Sequence, residues 1–286
     1  MGYLIAAVGF SVAVSVLLKL FPRHGIDTGQ AVTWNYLAAS LLCAWLFAPP
    51  LASLRGEGAP WLGLLGLAFI LPTLFMVLAV AVQRAGIVRT DVAQRLSLLL
   101  SLAAAFVIFG ERTSTPKVVG LLLGLVAVVA ILARPRDDGP RQRGALWALL
   151  LVWVGYAVVD VMLKLIAQAG TPFAASLQVA FVTAFLGMLA VQALRQARGQ
   201  TRLSLRGLIA GLLLGGLNFG NIVCYVQAHR SLPDSPAVVF ASMNIGVVVL
   251  GTLTGVVAFG EPTSRLNRLG IALAILAIAL IAFART

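Results

Sequence analysis

Ten mainly apolar runs, at 2–20, 29–47, 60–82, 88–109, 115–133, 144–167, 172–194, 205–228, 235–259 and 264–283, alternate with short polar connectors along the whole chain. Each is close to the roughly 20 residues a helix needs to cross a hydrocarbon layer of about 30 Å. Turn chemistry marks the gaps, because Pro49-Pro50, Pro135, Pro140, Pro172 and Pro233 all fall in connectors, where a missing backbone donor is harmless. Pro72 alone lies well inside a run, beside Thr73. The pattern predicts an all-α integral membrane protein with ten transmembrane helices.

A phrase repeats within this pattern. Phe109-Gly110-Glu111-Arg112-Thr113-Ser114 returns 150 residues later as Phe259-Gly260-Glu261-Pro262-Thr263-Ser264, and each copy leads through basic residues to a glycine, Gly120 or Gly270, in the next apolar run. The strongly polar connector at 134–143 separates five runs from five, which predicts two repeats, 1–138 and 139–286. An odd number of spans obliges the second copy to enter the membrane upside down, so the repeats are expected to be inverted. Lys19 ends the first span six residues before Gly25, and Lys164 ends the sixth span six residues before Gly170, a second echo of the duplication.

Composition agrees with membrane residence. The chain is 60% hydrophobic and 10% charged, with a mean hydropathy of +1.01, against roughly 25% charged residues in soluble domains. The first span has neither a basic residue before it nor a clear cleavage site after it, so it is expected to remain attached. Cys43 and Cys224 fall within spans and are expected to be packing residues. The net charge of +12 matters through its placement and does not call for a nucleic-acid partner. On the side of the termini stand Arg55, Arg112, Lys117, Lys164, Arg230 and Arg285. The other side holds Lys19, Arg23, Arg84, Arg89, Arg134, Arg136, Arg141, Arg143, Arg195, Arg198, Arg202, Arg206, Arg265 and Arg268. The positive-inside rule makes that second, basic side cytoplasmic and the termini external.

Ten spans in two halves, a lysine closing the first helix of each half, and the Gly-Glu-x-x-Ser phrase between the fourth and fifth helices of each half resemble the EamA branch of the drug/metabolite transporter superfamily. The resemblance covers essentially the whole chain. It implies a bacterial-type inner-membrane transporter whose cavity is lined by the first, third and fourth helices of each half. For many members it also implies cytoplasmic termini, opposite to the charge count. One departure stands out: the apolar-Pro pair common in the fourth helix is replaced by Asp91-Val92-Ala93-Gln94-Arg95-Leu96-Ser97.

Charges inside spans are costly and point to function. Asp91 and Arg95, four residues apart on the fourth span, suit a pair, with Gln94 beside them. Tyr156, Asp160 and Lys164 form a ladder of the same spacing on the sixth span. Asp160 or Asp91 can take a coupling proton if burial favours the neutral acid. Asn218, Asn221 and Tyr225 share one stripe of the eighth span. With Lys19, Asn35 and Asn244 these are the candidate substrate-binding and translocation residues. Glu111 and Glu261 precede helices near Ser114 and Ser264 and read as helix-end anchors. Gly207, Gly211 and Gly215 read as a ridge for close helix packing.

These features predict a secondary-active transporter of a small polar metabolite, amino-acid-like or another organic solute, working by alternating access. The alternative is a lipid-headgroup flippase or a non-transporting membrane scaffold. No phosphate-binding loop supports an ATP-driven pump, and His24 and His229 both lie in connectors, away from any intramembrane metal cluster. No enzyme activity, cofactor or metal is expected. The expected partners are the solute and membrane lipids, for a monomer or homodimer.

Overall fold

The computed structural model describes residues 2–56, 59–107, 114–132, 144–234 and 236–283. Ten α-helices follow one another: α1 (Gly2–Leu20), α2 (Thr28–Phe47), α3 (Trp61–Ala85), α4 (Ile87–Val107), α5 (Thr115–Leu132), α6 (Ala145–Gln168), α7 (Phe173–Ala197), α8 (Leu205–Ser231), α9 (Pro236–Phe259) and α10 (Arg265–Phe283). Local signals set their ends. Asp27 caps α2 by accepting from Gln30 N at 2.9 Å, Ser204 caps α8 through Gly207 N at 3.0 Å, and Ser264 and Asn267 bond reciprocally at the start of α10. A single residue, Gly86, separates α3 from α4; its φ of +89° turns the chain sharply where a side chain would be strained.

Seven of these helices are by themselves long and apolar enough to cross a membrane, and α5 is apolar but shorter. The other two, α2 and α4, both turn polar residues inward: Gln30, Thr33 and Asn35 on α2 and Arg89, Asp91 and Ser97 on α4 are all buried. Outward surfaces are apolar, with Leu62 90% and Trp45 77% exposed. A soluble protein rarely leaves such a surface uncovered, and lipid covers it here. The protein is a multi-pass membrane protein.

The core lies at contacts between the first five helices and the last five. Helix α1 packs on α8 and α9, α2 on α7 and α8, α3 on α6 and α7, α4 on α6 and α9, and α5 on α10. Glycines let several of these pairs approach closely. A Cβ added to Gly120 of α5 would meet Ile281 at 2.7 Å and the Ala277 carbonyl at 3.2 Å, and one on Gly270 of α10 would meet Ile131 at 2.8 Å and the Ala127 carbonyl at 3.2 Å. The ridge on α8 lies against the α2 backbone in the same way, with Gly211 facing the Ala31 carbonyl and Gly215 that of Asn35. Cys43 and Cys224 are free thiols, the first buried in the core.

One ion pair ties α2 to α7. Arg195 donates to both oxygens of Asp27, at 3.1 and 2.9 Å. Burial pushes the Asp27 carboxyl up, but Arg195 and the Gln30 amide outweigh it and hold the acid below the usual aspartate range. A depressed native pKa stabilises the fold above the unfolded value of about 4 and loses that contribution as pH falls through the lower native value. Melting temperature is therefore expected to fall on acidification below about pH 4. Asp27→Asn should flatten that part of the profile, and a variant with the parent's acid slope would remove Asp27 from its cause.

Candidate functional site

A cavity of 330 Å³ lies between α1, α3, α4, α6, α8 and α9. Eight of the candidate side chains line it: Gln94, Arg95, Tyr156, Asp160, Asn218, Asn221, Tyr225 and Asn244. Asp91, Lys19, Asn35 and Lys164 do not. Asn35 is fully buried behind Asn218, whose amide donates to it at 3.3 Å. Lys164 is half-buried, one turn beyond Asp160 on α6, and Lys19 lies at the end of α1, against Glu261.

Asp91, Arg95 and Asp160 make hydrogen bonds between helices. Asp91 accepts from Ser15 of α1 at 2.7 Å, and its other oxygen is buried without a hydrogen-bond partner. Arg95 donates to Ser11 of α1 at 2.7 Å, while its Nε is buried and unpartnered. Asp160 accepts from Ser101 of α4 at 2.8 Å. Serines on neighbouring helices reach these groups because α1, α4 and α6 cross at the cavity, a proximity that spacing along one helix cannot reveal.

The amides serve two roles. Asn221 donates to the Ala7 carbonyl of α1 at 2.7 Å, and Asn244 donates to Phe240 within its own helix at 2.9 Å. Each therefore spends one N–H on backbone and keeps its oxygen and a second N–H to offer a solute. Phe75, Phe240 and Tyr225 add aromatic wall. A second cavity of 220 Å³ adjoins the first, sharing Phe75, Tyr156 and Asn218, and is otherwise walled mainly by leucines and aromatics such as Leu71, Leu177 and Phe181.

Glu261 anchors a helix end, but a different one from that expected. Its two oxygens accept from Ile87 N at 2.7 Å and Val88 N at 2.9 Å, so it caps α4, far away in sequence, while Ser264 and Asn267 cap α10. The chain fold delivers a connector of the second half to the positive end of a helix in the first. The matching Glu111 lies outside the described residues, as do Arg112, the connector at 134–143 and Arg285.

The sequence profile of the EamA-like transporter family matches residues 1–133, consistent with the drug/metabolite transporter superfamily. An uncharacterised protein of Haemophilus influenzae is 39% identical over 284 residues, covering 96% of this chain and 95% of its own length. The chain belongs to the EamA-like transporter family. An uncharacterised protein of Pseudomonas aeruginosa is 34% identical over 167 residues, 57% of this chain and 53% of its own. A protein of known crystal structure shares the fold at 19% identity, with a TM-score of 0.56 over 96% of both chains. In this EamA-like transporter Ser11, Ser15 and Phe240 of the cavity wall were not marked out by the sequence, whereas Ser97 was. A signal for two of them existed. Ser11, Ser15 and Lys19 have the same four-residue spacing as Tyr156, Asp160 and Lys164.

Proposed function

We propose that this protein is a secondary-active transporter of a zwitterionic, amino-acid-like solute with an apolar side chain, working by alternating access between two inverted five-helix repeats. The observation that carries the solute class is the cavity itself, with the Arg95 guanidinium on α4 and the Asp160 carboxylate on α6 among neutral amides and aromatic rings. Arg95 binds the solute's carboxylate through its guanidinium, a charge-assisted contact. Asp160 binds the ammonium, or a proton in its absence, which makes solute and proton exchange with one another. The apolar annex behind Phe75 and Tyr156 receives the side chain.

Packing supports the inverted repeats. Gly120 against Ile281 and Gly270 against Ile131 are the same contact with the two halves exchanged, and they require α5 and α10 to run in opposite directions. Gly251 and Gly255 of α9 face Asp91 and Val88 of α4 in reverse order, so those two matched helices are antiparallel as well.

Thermal shift of the purified protein tests the solute class. Leucine or phenylalanine at 100 times its dissociation constant should add about 2.7 kcal/mol of stability, and glycine at equal concentration should add less. Asp160→Asn should cut the zwitterion response while sparing simple carboxylates of the same side chain. Stabilisation by lipid headgroups alone, with none by amino acids, would sink the reading.

A further inference from the structure

Helices α1 and α4 are joined by a ladder of three polar rungs, four residues apart on each: Ser11 with Arg95, Ser15 with Asp91, and Lys19 with the Glu261 that caps Ile87 and Val88. The first rung lies in the cavity. The last lies at the basic end of the bundle, where Lys19 is also 4.8 Å from the centre of the Phe259 ring and Arg23 5.5 Å from it. Lys19 and Glu261 are 13% and 9% exposed. The chain is shaped around this carboxylate, since a Cβ on Gly86 would lie 2.6 Å from Glu261 Oε2 and one on Gly255 2.8 Å from it. The cavity reaches Phe240, about one turn inside the start of α9, but stops about one turn short of Lys19 on α1 and two turns short of Ile87 on α4. It therefore extends toward the far end of the bundle and is stoppered at the basic end.

We propose that Lys19 and Glu261 are positioning residues for transport: clasped together on the α4 N-terminus, they hold the basic end shut in this conformation. The proposal rests on the alternating-access reading above. Opening that end parts Glu261 from Lys19 or from the α4 amides, and α4 carries Arg95 with it, so gate and solute site move as one. A gate built on one carboxylate from the second half and two helices of the first can release without unfolding either half.

The test uses a reporter cysteine, Val14→Cys on the cavity wall, in a full-length chain carrying Cys43→Ala and Cys224→Ala. A charged, membrane-impermeant methanethiosulfonate is applied to vesicles of each orientation, and Arg23→Cys identifies the face of the basic end. The parent should label mainly from the opposite face. Lys19→Met and Glu261→Gln should each raise labelling from the basic end about tenfold or more, as expected when a charge-assisted contact is removed from one side of a two-state equilibrium. Lys19→Met leaves the Glu261 cap on α4 in place, so this arm stands even where Glu261→Gln fails to fold. Unchanged labelling from the basic end in folded Lys19→Met overturns the gate alone. A parent labelled from neither face overturns the transport reading and the gate with it.

Discussion

Arg95→Gln should abolish measurable solute flux in proteoliposomes while leaving a folded protein. Glutamine keeps a hydrogen-bond donor for Ser11, so the α1–α4 contact has a substitute, but the positive charge in the cavity is gone. Truncating one partner of a desolvated charge pair costs about 2–5 kcal/mol, or roughly 30- to several-thousand-fold in affinity. Arg95→Lys should restore only part of the loss, because a single ammonium cannot reach Ser11 and a solute carboxylate with the fork of a guanidinium. Uptake and thermal shift with the same zwitterion would check both variants. Wild-type affinity in Arg95→Gln would remove Arg95 from recognition and leave it a structural link between α1 and α4.

A second large effect is expected where no solute is touched. Gly215→Ala places a methyl group 2.5 Å from the Asn35 carbonyl and 2.6 Å from the Ala38 side chain, so α8 must move off α2. Overpacking of this kind costs about 1–3 kcal/mol. The seam is central, because α8 also carries Asn218 and Asn221 into the cavity. The neighbouring Gly216 has open space where its Cβ would stand, and there the same substitution should be neutral, or stabilising by up to about 1 kcal/mol through helix propensity. Melting temperatures of the two alanine variants give the comparison. Equal values would show that the α2–α8 seam yields freely at Gly215.

Hydrophobic runs alone made the ten helices legible, with ends close to those observed, since a span is defined by about 20 apolar residues and by the prolines and glycines between runs. The duplicated Gly-Glu phrase and the intramembrane charges could be read in the same way. Desolvation makes Arg95 and Asp160 conspicuous in any fold, and both line the central cavity. Partners could not be read. Asp91 and Arg95, four residues apart on one helix, suit a pair; the folded chain also sets Ser15 and Ser11 of α1 opposite them. A serine is an ordinary residue in an apolar run, and only a neighbouring helix shows that it faces a charge.

Glu261 marks the division most clearly. Its sequence position established a carboxylate beside a helix end and a match to Glu111. Tertiary structure decided that the end belongs to α4, that Lys19 neutralises the carboxylate, and that Gly86 and Gly255 leave it room. Periodicity and hydropathy are local properties written in consecutive residues, so the chain by itself determined its spans, its repeated Gly-Glu phrase and the polar residues submerged within them. Contacts across the two halves depend on how ten helices pack at once. That packing alone selected which submerged groups share a cavity and which close its end.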